Sequence, residues 1–457
     1  MKKLNAFLVS ALATAALNAA VIEQVIVRQQ WPWSTDVKIE YKLSGVTLPV
    51  DISVRAYNGD VELDQEKVLS ALTGDRYGIA EDGVGTLVLD PVKAFGTEKV
   101  ALANFKVKLS VSDSAENIND VLYKIVALEP PYAITNVTRK ALLNGKFGAC
   151  VSRYEDIDPE FHTDLQDVLI WTDVTNDIYK TDFIVFRRIS AAGKHFMMGT
   201  NNVDVAGGAG VDVSFANDFY IGVFELTQRQ VERFSHRVSY ETNSLYAATR
   251  PADQMYFTKT LRGEHKFDWP EEGCVIHTGF DSKTLLSDLQ NATGLLIDLP
   301  TDAMWEYACR AGTTTVLYTG NPNHVANWSD ANCKKIMRAK GINGPDTANY
   351  PDSNCDLTEG PLAVGSLLPN AYGLYDMLGN IREWCLDKWC EDGSLPGGED
   401  PVGLTLAQGA KDSSTGVMRG GCYRENAYTC YTRGGSNRGW NTKEFGARLC
   451  IYLTNGE

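Results

Sequence analysis

The sequence predicts a multidomain chain in which an all-β module precedes a larger, irregular α+β module. Three observations carry that reading. Short runs before residue 112 alternate apolar with polar residues, the period of a strand with one buried face. All ten cysteines fall between Cys150 and Cys450, so the two parts differ in build. Beyond Lys180, helix-start signals stand between short strands punctuated by glycine.

The 457 residues suffice for roughly two to three domains. With 44% hydrophobic and 22% charged residues, the composition is that of a folded globular protein. The formal net charge of -15 argues against nucleic acid or anionic membrane as partner, since a phosphate-tracking surface needs clustered Lys and Arg. Lys2 and Lys3 precede an apolar stretch, Leu4 to Leu17, that ends in Asn18-Ala19-Ala20. Residues 1–20 therefore read as a signal peptide, and the protein is expected to be secreted or periplasmic. The stretch is short for a bilayer span and no later segment has spanning length, so an integral membrane protein is not expected.

Residues 21–112 read as a small β-sandwich of immunoglobulin or fibronectin type. Val37, Ile39, Tyr41 and Leu43 alternate with polar residues, as do Val50, Ile52, Val54 and Ala56, and Phe105, Val107, Leu109 and Val111. Asn58-Gly59-Asp60 and Asp82-Gly83 supply turns between them. Trp31-Pro32-Trp33 is expected to pack at a strand edge. Residues 113–179, broken by Pro130-Pro131 and rich in acidic side chains from Glu155 to Asp164, are expected to form a connecting segment. The last module spans 180–454. In it, Thr227 with Gln230 forms a capping box that starts a helix, and Thr301 caps a second helix that ends at Gly312.

Four motifs in this module resemble, in order, those of the formylglycine-generating enzyme family, or sulfatase-modifying factors. They are Phe219-Tyr220-Ile221-Gly222 with Glu225-Leu226-Thr227, the run Leu299 to Gly312, Asn370 to Asn380 with Glu383-Trp384, and Arg419-Gly420-Gly421 with Gly446-Ala447-Arg448. The last triplet departs from the family's usual Gly-Phe-Arg. The resemblance implies a C-type-lectin-like fold and calcium, a hard cation that takes oxygen ligands from short loops. One implied site takes the side chains of Asp376 and Glu383 with the carbonyls of Gly379 and Ile381. A second takes Asn327 and Asp356 with the carbonyls of Trp328 and Thr358.

The family oxidises a substrate cysteine to formylglycine through two cysteines that bind Cu(I), a soft ion that selects paired thiolates. Counted from Gly420-Gly421, the first of these positions holds Glu425 and the second Cys430, and the tryptophan common before the motif glutamate is Arg382. The pair is broken, unless Cys422 or another thiol approaches Cys430 in space. Cys430 is the one catalytic candidate; its alternative is a structural role. Among the remaining cysteines, Cys309 with Cys450 is the preferred disulfide, with Cys385–Cys390 and Cys333–Cys355 as local bridges. Zinc and non-heme iron lack the close Cys or His spacing they need.

Tyr423, Tyr428, Tyr431, Arg433, Arg438 and Trp440 form a candidate ligand-binding face for a protein, peptide or glycan. The leading expectation is thus an exported, calcium-stabilised relative without the copper pair that binds a ligand. The alternative is an active copper oxidase acting on cysteine in sulfatases.

Overall fold

In a computed structural model, the described residues are 20–29, 33–96, 105–161, 165, 168–200, 210–234, 248–263, 280–320, 331–340, 342–343, 360–404, 414–426 and 428–454. They divide into two compact units, one of residues 1–120 with 138–147, the other of 121–137 with 148–457.

The first unit holds β1 (Val21–Gln29), β2 (Val37–Ser44), β3 (Val50–Asn58), β4 (Val61–Glu62), β5 (Leu72–Gly74), β6 (Gly83–Leu89) and β7 (Phe105–Asp113). They build two sheets, ordered β1-β2-β6-β5 and β4-β3-β7. The alternating residues of β2 and β3 face one another across the sheets: Val37, Ile39, Tyr41 and Leu43 share a core with Val50, Ile52, Val54 and Ala56. The period-two pattern thus does what it predicts, leaving the intervening polar residues outward. In β7 the apolar positions are half-buried. Asp90 caps a short helix, Pro91–Phe95, by accepting from the Val92 and Lys93 amides. Trp33, expected in a packing cluster, is 88% exposed. Trp31, Pro32 and the expected signal peptide up to residue 19 lie outside the described residues.

Residues 113–179, expected to connect the modules, instead contribute to both. β8 (Val121–Ala127) and β9 (Ile134–Thr138) belong to a sheet of the second unit. The helix Arg139–Leu143, capped by Thr138, returns to the first. The acidic side chains masked a set of buried positions, including Tyr154, Phe161 and Ile170, which pack together.

The second unit continues with β10 (Cys150–Val151), β11 (Ile170–Trp171), β12 (Phe183–Ile189), β13 (His195–Met198), β14 (Val211–Ser214), β15 (Phe219–Gly222) and β16 (Ile297–Asp298). Then come β17 (Met337–Arg338), β18 (Leu378–Gly379), β19 (Arg382–Lys388), β20 (Gly398–Glu399), β21 (Thr415–Arg419), β22 (Gly434–Asn437), β23 (Phe445–Gly446) and β24 (Cys450–Tyr452). Its largest sheet has the order β16-β24-β15-β12-β8-β9, which sets the last strand between two earlier ones. A second sheet, β22-β21-β19-β23, carries the glycine-rich motifs.

The helices start where the sequence places them. Thr227 and Gln230 complete both halves of the capping box, and Thr301 accepts from the Met304 amide. The second of these helices, Asp302–Arg310, ends two residues before the expected Gly312, with Ala311 in the left-handed conformation. Among the described residues, no helix is long and apolar enough to cross a membrane.

Candidate functional site

The site is built on β19 and β21, which pair antiparallel with Glu383 opposite Arg419. Alternation along β19 sends Glu383 inward and Arg382 toward the loop that follows β21. Gly420 and Gly421 turn the chain into that loop with φ of +83° and +75°. A Cβ on Gly421 would stand 2.4 Å from the Tyr428 ring, so glycine is required on both counts.

Beyond this turn, Glu425 meets Arg382. The guanidinium grips the carboxylate with two nitrogens, Nε donating to Oε2 at 2.7 Å and Nη2 to Oε1. The Cys422 thiol donates to Oε2 of the same carboxylate at 3.4 Å. Arg382 and Glu425, the two positions that the sequence sets apart from the family's expected motif, neutralise each other. A forked pair of this kind is the strongest surface-accessible ion pair geometry, and both side chains are only about a quarter exposed (22% and 27%). Cys422 faces Glu425, and burial pushes its thiol up to about 11. Burial likewise raises the thiols of Cys309, Cys385, Cys390 and Cys450.

Beneath Glu383 lies a buried group of charges. Arg448 donates to Glu383 Oε1 from Nη2 at 2.8 Å and from Nε at 3.0 Å, and Trp305 Nε1 donates to Oε2 at 2.6 Å. The remaining Arg448 donor bonds reach the carbonyls of Gly222, Val223 and Tyr375. Glu225 accepts from the Asn380 side chain at 2.7 Å and from the Ile381 amide at 3.1 Å, and Asp376 accepts from the Gly365 amide at 2.7 Å. Burial, with repulsion from Asp376 and Glu383, holds Glu225 far above the usual carboxylate range. Asp376 is pushed up to about 6, chiefly by burial.

Glu225, Asp376 and Glu383 thus form one buried group beside Arg448, which hydrogen-bonds Glu383 among the three and whose charge, with that of Lys180, acts on Asp376. The expected calcium ligands Asp376, Gly379, Ile381 and Glu383 all border this group, although Glu383 is already engaged by Arg448. The second expected set, Asn327, Trp328, Asp356 and Thr358, lies outside the described residues. No group of three or more His, Cys, Asp or Glu side chains placed to hold a metal occurs among the described residues; a calcium site of two carboxylates and two carbonyls does not require one.

On the other side of Trp305, Arg419 is wholly buried. Its Nη2 donates to Glu306 at 2.8 Å, its Nε bonds Asp302, and its Nη1 donates to the carbonyls of Cys430 and Thr432 at 3.3 and 3.4 Å. Asp302 also pairs with Arg433 at 2.6 Å, and its amide donates to Asp387 at 2.6 Å. Burial and the Asp302 charge push Asp387 up to about 7.

An unfolded Asp loses its proton near pH 3.9, so from there to about pH 7 the native state holds a proton the unfolded state has given up. Stability then falls as pH rises through that window, by at most about 1.4 kcal/mol per pH unit. Asp387→Asn is expected to flatten this part of the profile, checked by chemical denaturation from pH 4 to 8; an unchanged slope contradicts the assignment.

The candidate ligand face is mostly interior. Tyr423, Tyr431 and Arg438 are buried, at 7%, 8% and 2% exposure, and Arg433 spends its guanidinium on Asp302 and the Ser394 carbonyl. Arg438 donates to the carbonyls of Leu386 and Asp387. Long polar side chains in this segment thus tie the loop down instead of presenting it. Trp440 is exposed and Tyr428 partly so.

Cys309, Cys385, Cys390, Cys422, Cys430 and Cys450 are free thiols. The expected Cys309–Cys450 pairing is not formed: Cys450 sits in β24 opposite Ile221 and Asp298. Cys355, the expected partner of Cys333, lies outside the described residues. What spacing alone did not show is that Glu225 joins the carboxylate group and that Arg419 anchors Asp302 and Glu306; the unlike charges of the two off-pattern residues, Arg382 and Glu425, were the available signal for their pairing.

Comparison with known proteins gives this arrangement relatives. The "Sulfatase-modifying factor enzyme 1-like domain" matches residues 186–452, leaving the N-terminal unit outside the match. The chain is 34% identical over 152 residues to the formylglycine-generating enzyme of Mus musculus, covering 33% of this chain and 36% of that protein. It is 25% identical over 284 residues to the formylglycine-generating enzyme of Bos taurus, covering 55% and 70%. It is also 23% identical over 233 residues to the "Inactive C-alpha-formylglycine-generating enzyme 2" of the same species, covering 44% and 70%. The matched segments thus span about a third of the mouse enzyme, and 44% of the bacterial one from Thermomonospora curvata. Among solved structures, Treponema denticola variable protein 1 aligns with a TM-score of 0.42 and 19% identity over 59% of this chain and 95% of that one.

Proposed function

The chain belongs to the sulfatase-modifying factor enzyme 1-like domain family, and from that premise we propose that it is an exported member that has given up copper chemistry and serves as a calcium-stabilised binding protein. One observation carries the reading: the position of the family's first copper cysteine holds Glu425, and its carboxylate is bound on both oxygens by Arg382, itself at a departure from the family pattern. A carboxylate is a hard ligand, and one already locked to a guanidinium offers nothing to Cu(I). Export rests on the Lys2-Lys3 and Leu4–Leu17 pattern of the N-terminus.

Calcium would be held by the Asp376 and Glu383 side chains with the Gly379 and Ile381 carbonyls. Bound there, it would neutralise charge and fix the Asp376–Glu383 loop against the glycine turn at Gly420. A protein or glycan ligand would dock at the loop end that carries Tyr428 and Trp440.

The function is tested by incubating the purified protein with Cu(I), oxygen and cysteine-containing peptides of the kind found in sulfatases. The peptides are expected to keep their thiol, as read by mass spectrometry. Conversion of the cysteine to an aldehyde at a rate that scales with protein would overturn the proposal. Calcium is tested separately. Chelation is expected to lower the unfolding temperature and calcium to restore it, whereas an indifferent melting curve removes the ion from the account.

A further inference from the structure

A cavity of about 170 Å³ opens in the second unit between four pieces of chain: the turn that joins β14 to β15, the residues after β20, the first turn of the helix Asp302–Arg310, and the end of β24. Its walls are tied to one another. The Asp400 amide donates to the Ser214 carbonyl at 2.8 Å, and the Ala216 amide donates back to Asp400 Oδ1 at 3.0 Å. Phe219, at the start of β15, pairs with Tyr452 of β24. The lining is largely apolar, with Phe215, Phe219, Met304, Val402 and Leu453 around the space. A cavity of about 150 Å³ walled by side chains of this kind is enough to take up benzene, so this one has room for a single ring.

The polar groups of the lining divide into those already engaged and those left over. Asp218 is engaged: Arg188 Nε donates to its Oδ2 at 2.9 Å, and the Ala191 and Ala192 amides both donate to Oδ1 at 2.9 Å. The Tyr452 hydroxyl is engaged too, donating to the Leu299 carbonyl at 2.7 Å. Asp400 is different. Its Oδ1 holds the Ala216 amide, but among the described residues Oδ2 accepts no hydrogen bond and no cation pairs with the carboxylate. Asn217, half-buried beside it in the lining, makes no side-chain hydrogen bond among the described residues. Among those residues no Lys, Arg or His lines the cavity, so one carboxylate at its rim stands uncompensated in a chain of net charge -15.

We propose that this cavity binds a small amine, with an apolar single ring among Phe215, Phe219, Met304 and Val402 and the protonated nitrogen at the rim on Asp400 Oδ2 and the Asn217 side-chain oxygen. An ammonium carries donors only, which matches a carboxylate and an amide oxygen that have room for a hydrogen bond. A neutral ring would leave the Asp400 charge unmatched, and an acidic ligand would be repelled by it. The apolar body supplies most of the affinity, as in small-molecule sites generally. Because Asp400 is exposed, its pairing with the amine chooses the ligand more than it tightens binding, by up to about fivefold. None of the lining residues belongs to the copper position, to the Glu225 carboxylate group or to the loop end that carries Tyr428 and Trp440. The site therefore goes beyond the proposed function and stands or falls without it.

The experiment titrates the full chain at neutral pH with benzylamine, benzyl alcohol and benzoate, three single-ring probes of similar size and different charge, and reads binding by calorimetry. Benzylamine is expected to bind several-fold more tightly than the alcohol, and benzoate most weakly of the three. Asp400→Asn should bring benzylamine down to the level of the alcohol and leave the alcohol unchanged. Asparagine keeps the Oδ1 acceptor for the Ala216 amide and tolerates the φ of +44° at this position, so the fold is not at stake. Val402→Phe, which adds a ring to the wall, should weaken amine and alcohol alike. Equal binding of amine and alcohol, tightest binding of benzoate, an amine preference that survives Asp400→Asn, or no binding of any probe overturns the proposal. A lysine with both backbone ends blocked carries the same ammonium on a straight chain; tighter binding of that probe than of benzylamine would put a peptide in the cavity and overturn the assignment of a ring.

Discussion

Arg419→Met is expected to lower the stability of the C-terminal unit by roughly 3–5 kcal/mol, the cost of stripping two buried carboxylates of the cation they share, with Arg433 left to Asp302 and Arg310 to Glu306. Arg419 is wholly buried, and so are Asp302 and Glu306, which it holds. Methionine fills much of the same volume, so the loss reports charge and hydrogen bonding more than cavity formation. Two further bonds, to the Cys430 and Thr432 carbonyls, leave those acceptors without this donor in a dry interior. Because the penalty comes from uncompensated charge, adding Asp302→Asn and Glu306→Gln to the same chain should recover part of it. Denaturant unfolding followed by tryptophan fluorescence makes the comparison. A loss below about 1 kcal/mol would mean that the network contributes little.

The second large effect is a gain. Glu425→Cys with Arg382→Trp is expected to raise Cu(I) affinity by at least about two orders of magnitude, since it offers Cys430 the soft partner that the family pattern places five residues before it. The two changes belong together. Glu425→Cys alone leaves the Arg382 guanidinium, three-quarters buried, without its carboxylate and next to a thiol that must ionise. The single variant should therefore be less stable than the double, while the cation beside its new thiol favours the thiolate that copper needs. Competition against a Cu(I) chelator measures both. Equal affinities for wild type and double variant would show that something other than the Arg382–Glu425 pair governs the pocket.

Much of the scaffold is legible in the sequence because it is set by local rules. The alternation in β2 and β3 marks the buried faces of the first unit, and the Thr227–Gln230 box and the Thr301 cap mark helix starts to the residue. The family motifs likewise locate the glycine turn and the carboxylate loop. Where the reading stops, the contact is distant. Residues 113–179 look like a connection because acidic residues dominate their exposed positions, whereas their worth lies in β8, which pairs with the later β12, and in β9, which pairs with β8. Arg433 and Arg438 carry the composition of a binding surface, but that composition equally suits buried anchors, and only the fold shows that their guanidinium groups meet Asp302 and backbone carbonyls. Cysteine pairing is the extreme case. Proximity of Cys309 to core motifs suggests Cys450, yet both are free thiols, because spacing in a chain does not encode closure in space.

The central claim is that the departures at 382 and 425 remove the copper site. Titration of the reduced wild-type protein with Cu(I) against a competing chelator, beside a Cys430→Ser variant, tests it most directly. The account predicts weak binding that is the same in both proteins. Tight one-to-one binding in the wild type that vanishes in Cys430→Ser would contradict it and return the chain to the copper oxidases.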